Sequence, residues 1–157
     1  MRPGAAMSEV RRRLGPLLGL WDTTATVDGK VTMRGWSSFA WADEGEFLVQ
    51  RADADPPGED VPRDWIENSP FPTTSVIGWD EANRTFSMLY SDARGVLRVY
   101  GMDLDGRQWR IWRAAEGMNQ RFSGTVSPDG KTITAHWEMS TDGLKWAKDF
   151  DLTYTRS

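Results

Sequence analysis

Six dipeptides ending in glycine, Asp28-Gly29, Glu44-Gly45, Arg94-Gly95, Asp105-Gly106, Asp129-Gly130 and Asp142-Gly143, divide most of the chain into short runs rich in aromatic and β-branched residues. Such pairs supply the positive φ that tight hairpin turns need, so each marks a point where a strand reverses onto its neighbour. The spacing predicts an antiparallel meander. About ten runs carry the strand period: residues 20–27, 31–42, 46–51, 74–80, 85–91, 96–104, 108–114, 119–127, 132–140 and 144–156.

An open twisted sheet of that many strands would leave two long apolar edges, which invite aggregation, and closure removes both. The expected fold is therefore all-β, an up-and-down antiparallel β-barrel of about ten strands. Eight strands already enclose room for one small ligand, so this barrel is expected to contain a pocket. Ahead of it, Val10, Leu14, Leu17 and Leu18 fall near helical spacing, with Ser8 placed to cap a short helix that Pro16 limits. The chain thus reads as an N-terminal segment, residues 1–18, and one barrel domain, residues 19–157. One connection is long. From about Ala52 to Pro72 it carries five prolines and the segment RDWIEN, enough for one helical turn, and is expected to lie as a lid across an open barrel end.

Composition limits the chemistry. The 157 residues include no Cys and a single His, His136, which excludes disulfides, thiolate nucleophiles, Cys-based metal sites and any site needing two imidazoles from one chain. A net charge of −4 argues against a general nucleic-acid binder. The run Arg11, Arg12, Arg13 is short, and reads as the solvated face of a helix before it reads as an anion or membrane contact. No apolar stretch is long enough to span a membrane, and no signal-peptide pattern opens the sequence, so a cytoplasmic protein is expected.

The strands mix Arg into aromatic rows. Phe86, Met88 and Tyr90 share one face of their strand; Arg98, Tyr100 and Met102 share a face of the next; Trp109, Ile111 and Arg113 oppose Arg110 and Trp112. An Arg on an aromatic wall can hold an anion or stack on a conjugated ring. Outside the barrel, its stem can cover exposed rings, or its head can pair with Glu138, Asp149 or Asp151. Candidate ligand-binding residues are Arg51, Met88, Tyr90, Arg98, Tyr100, Trp112, Arg113, Arg121, Trp137 and Glu138. For catalysis the best candidates are Glu138, beside Trp137, and Tyr90; the simpler reading of Glu138 is a structural partner of Arg121.

Gly19-Leu20-Trp21, opening the first strand after a short helix, resembles the calycin superfamily of lipocalins and fatty-acid-binding proteins. The resemblance implies that Trp21 plugs one barrel end and that a basic residue of the last strand, here Arg156, packs across its ring. The stretches LGPLLGLWDTTATV, FAWADEGEFLVQR, SVIGWDEANRTFSMLYSDARGVLRVYGM and NQRFSGTVSPDGKTITAHWEMSTDGLKWAKDFDLTY resemble more closely an uncharacterised bacterial calycin-like family, which implies the fold and carries no activity. A related branch, the nitrobindins, binds haem through a His near the carboxyl terminus. Here the last strand has no His, and His136 lies one strand earlier.

The leading expectation is a binding protein for a small hydrophobic molecule, aromatic or anionic, that needs no cofactor. Alternatives are a cofactor-free isomerase, cyclase or hydrolase using Glu138 or Tyr90, a nitrobindin-like haem protein using His136, and an interaction module with exposed Trp that forms a homodimer.

Overall fold

The computed structural model describes residues 3–59 and 61–157, the first six of these by their backbone alone. A helix, α1 (Pro3–Leu14), and a 3-10 turn, Gly15–Leu17, lead into ten strands: β1 (Gly19–Val27), β2 (Lys30–Trp41), β3 (Leu48–Ala54), β4 (Thr73–Asp80), β5 (Thr85–Asp92), β6 (Leu97–Asp105), β7 (Gln108–Arg113), β8 (Asn119–Val126), β9 (Thr132–Ser140) and β10 (Ala147–Arg156). A second short helix, α2 (Arg63–Glu67), interrupts the β3–β4 connection. Each strand pairs antiparallel with the next, and β10 closes on β1.

The meander and its closure agree with the expectation, and the six predicted turn glycines all have positive φ. Two hairpins were not marked by such pairs. The β4–β5 turn uses Arg84 at φ 53° and the β7–β8 turn uses Gly117 at φ 76°. The helix also differs from expectation, since it starts at Pro3 and so contains Ser8, whose side chain lies outside the described residues. Val10, Leu14 and Leu17 are buried as their spacing predicts. No helix among the described residues is long and apolar enough to cross a membrane.

The two ends of the barrel differ. At one end α1 and the 3-10 turn cover the opening, and Leu14, Leu17, Trp21, Phe86, Met102, Leu104 and Ile133 are fully buried there. Trp21 Nε1 donates to the Leu17 carbonyl at 2.9 Å. The Arg156 guanidinium lies 4.1 Å from the Trp21 ring centre and donates to the carbonyls of Pro16, Leu18 and Gly130 at 3.0, 2.6 and 2.8 Å. One cation thereby joins the last strand, the N-terminal turn and the β8–β9 turn.

The Arg11–Arg13 run is not simply solvated. Arg13 pairs with Asp103 and lies over Trp79 and Phe86, and Arg11 reaches the carbonyls of Glu44 and Gly45. The cations of the last turn of α1, favourable to its dipole, thus also anchor it to the barrel.

Candidate functional site

Register decides which half of each strand faces inward, because direct partners in an antiparallel pair share a face. Trp21 pairs with Ser37, Ser37 with Ala52, and Ala52 with Thr73, so one inner row begins with Trp21 and runs along small and polar side chains. Another row joins Ser75, Tyr90 and Arg98. Across the barrel Ile111 pairs with Phe122, Phe122 with Trp137 and Trp137 with Phe150.

These inner faces leave a cavity of about 640 Å³ in the half of the barrel away from α1. Met88, Tyr100, Phe122, Trp137, Leu152 and Tyr154 form much of its wall. Its mouth lies at the end carrying the β3–β4 connection. Trp65 of α2, with Pro70 and Phe71 after it, reaches the lining, so the predicted lid covers part of this opening. The Ala93 amide donates to the Pro70 carbonyl at 3.0 Å and ties the lid to the β5–β6 turn.

Of the residues nominated from the sequence, Met88, Tyr90, Arg98, Tyr100 and Trp137 line the cavity. Arg113 shares their inward phase but bridges its own turn, donating to the Met118 carbonyl at 3.2 Å. Four lie on the outer wall. Arg51 points outward because its neighbours Gln50 and Ala52 point in. Trp112 lies over Gly101 and is half exposed. Arg121 and Glu138 face each other outside in a two-point ion pair at 2.9 and 3.2 Å. Neighbouring residues on a strand cannot share a face, so Trp137 excludes Glu138, and Arg113 excludes Trp112.

Glu138 is therefore the structural partner of Arg121, which holds its carboxyl below the usual range, and not a base in the cavity. His136 also points outward, with Nε2 3.6 Å from Glu138, and is out of reach of a haem iron held inside. The cavity lining therefore holds no imidazole, and His136 does not supply the axial histidine of a nitrobindin-like haem site.

Tyr90 belongs to a cluster at the rim. Its hydroxyl donates to Asp92 at 2.8 Å, and burial followed by this bond pushes its pKa well above the ordinary value. Asp92, with a fully buried side chain, also accepts from the Arg94 side chain at 2.7 and 3.2 Å and from the amides of Arg94 and Val96 at 2.9 and 3.3 Å. The Arg94 guanidinium leads the bonds that hold the carboxyl far below the usual range. Tyr90 keeps its proton, Asp92 keeps its charge, and neither is poised for transfer at neutral pH.

Because the folded pKa of Asp92 is depressed, its contribution to stability is complete above the ordinary carboxylate range and fades as the pH falls below about 4. The Asp92→Asn variant is expected to melt roughly 5 °C lower at pH 7. The gap should shrink progressively on acidification, and a gap unchanged down to pH ~2 would deny Asp92 this role.

Four lining residues that are neither aromatic nor charged, Thr23, Gln50, Ser75 and Gln120, were missed from the sequence, as was the aromatic Tyr154. Counting in twos from Trp21 reaches Thr23, and from Trp137 the register reaches Tyr154 only through β10 and its irregularity at Lys148/Phe150. Gln120 accepts from the Tyr100 hydroxyl at 2.8 Å, and Gln50 donates to Ser37 at 3.0 Å. Trp109, which also lines the cavity, packs edge-on to Phe122 at 4.7 Å and Phe39 at 5.9 Å, and its buried N–H has no acceptor among the described residues. No protein-family model matches the chain, and no curated protein is detectably similar to it in sequence.

Proposed function

We propose that the protein binds a small, largely apolar molecule, aromatic or anionic, inside the barrel. The observation that carries this reading is the cavity itself: about 640 Å³, walled by Met88, Tyr100, Phe122, Trp137 and Leu152, and partly covered by Trp65 and Phe71. That volume lies in the range of small-molecule sites, whose walls are mostly apolar with a few placed polar groups. Packing the other half of the barrel solid gives the space a rigid floor.

The partner in this reading is a small-molecule ligand, not nucleic acid or membrane, met in the cytoplasm. The Arg156–Trp21 contact supports treating the chain as calycin-like, in line with the resemblance of its first strand.

Titration with the fluorescent dye 1-anilinonaphthalene-8-sulfonate tests the proposal. Saturable binding at one site per chain is expected, with quenching of Trp137. Ala52 faces the cavity, and an Ala52→Phe variant that still unfolds cooperatively should bind the dye at least about tenfold more weakly. Binding that is absent, or unchanged in this variant, would sink the proposal.

A further inference from the structure

Charge and polarity are distributed unevenly along the cavity. Its charged lining residues, Arg94, Arg98 and Asp149, belong to the rim: Arg94 to the β5–β6 turn, Arg98 to the start of β6 and Asp149 to the start of β10. Deeper in, every polar group is neutral. Thr23, Ser75 and Tyr154 are more than nine-tenths buried, at 6, 3 and 5% exposure, yet no hydrogen bond among the described residues uses their hydroxyls. Gln120, at 8% exposure, has its carbonyl taken by Tyr100, and its amide N–H₂ makes no bond among those residues.

Buried polar groups normally find partners, and these four open onto the cavity instead. The same space is faced by rings and by Met: Met88, Tyr100, Phe122, Trp137 and Phe150 lie on β5 to β10, whereas Thr23, Ser37, Gln50 and Ser75 lie on the adjoining strands β1 to β4. The β5–β10 side is mainly a surface for stacking, into which Gln120 of β8 and Tyr154 of β10 set two polar groups. The other offers hydroxyls and amides that both donate and accept.

From this arrangement we infer that the ligand is a neutral hydroxylated aromatic molecule, its ring against the β5–β10 wall and its hydroxyl or carbonyl groups on Thr23, Ser75, Tyr154 and Gln120. This rests on the binding reading above and narrows it. A fatty acid fits less well, since its carboxylate would be confined to the rim and its chain would leave the interior polar groups unpaired. A bare hydrocarbon would fill the space and strand the same groups, which a site built to bond hydroxyls rejects.

Isothermal titration calorimetry with 2,3-dihydroxynaphthalene, naphthalene and decanoate tests the class. The diol is expected to bind at least about tenfold tighter than naphthalene, with decanoate weaker than the diol. In a Thr23→Val/Ser75→Ala double variant the diol's advantage should fall below about threefold, with naphthalene affinity retained. Equal affinity of diol and naphthalene in the unaltered protein would overturn the inference whether or not the variant folds. So would an advantage that survives the double substitution, or tightest binding by decanoate. If the anilinonaphthalene dye binds and the diol shows no preference, the assigned class fails and the binding site stands; if neither binds, both readings fail.

Discussion

Trp21→Ala is expected to lower the unfolding free energy by about 3–5 kcal/mol, the cost usual for deleting a large buried aromatic side chain. Trp21 is fully buried, bonded to the Leu17 carbonyl, edge-on to Tyr154 at 6.4 Å and covered by Arg156. Its loss opens a void where the first strand, the last strand and the N-terminal turn meet. Arg156→Met keeps the aliphatic stem but strands the carbonyls of Pro16, Leu18 and Gly130, and should cost about 1–3 kcal/mol. Urea unfolding measures both. Trp36→Ala, on the exposed outer wall, provides the control; a Trp21→Ala loss no larger than that control's would remove Trp21 from its role as plug.

Gly35→Ala should cost about 2–3 kcal/mol although it adds one methyl group. A Cβ at Gly35 would lie 2.2 Å from the Asp53 carbonyl oxygen and 2.9 Å from the Ala54 Cα, both backbone atoms of the paired strand. Neither can swing aside, so β2 and β3 must part. They would part where the lid begins, since β3 ends at Ala54 and the Asp55 amide donates to the Arg34 carbonyl at 2.8 Å. Weaker dye binding should accompany the lost stability. Gly78→Ala is the matched comparison in β4, where the added Cβ meets nothing within 4 Å and the substitution should be neutral or slightly stabilising. Equal melting temperatures for the two variants would show that the close strand approach at Gly35 has no energetic weight.

Much of the architecture can be read before folding. Glycines such as Gly29, Gly95 and Gly143 occupy positions that need positive φ, a local requirement that leaves a local mark. The runs between them alternate with the strand period, so strand number and order follow. The plug at Trp21 and Arg156 is legible only through resemblance, because the two residues are 135 positions apart and their contact depends on closure of β1 against β10.

The site is legible in part. Met88, Tyr90, Arg98, Tyr100 and Trp137 are conspicuous large or charged residues in strand phase, and they line the cavity. Glu138 and Trp112 were nominated for the same conspicuous chemistry, beside inward neighbours that forbid it. Thr23, Ser75 and Gln120 escaped notice because small polar residues on a strand look like an outer face until closure turns them inward.

Strand order, turn positions and the chain-wide lack of thiols and paired imidazoles are properties of neighbouring residues or of residue counts, and these are settled along the chain. Which face of each strand is wet is not. A shift of one residue exchanges every inward side chain for an outward one, and the register is chosen by ten pairings at once, including irregularities at Ala25/Thr26 and Lys148/Phe150. Closure places Trp137 inside and Glu138 outside and brings four neutral polar groups around one space, because no strand can change its pairing without breaking the ring.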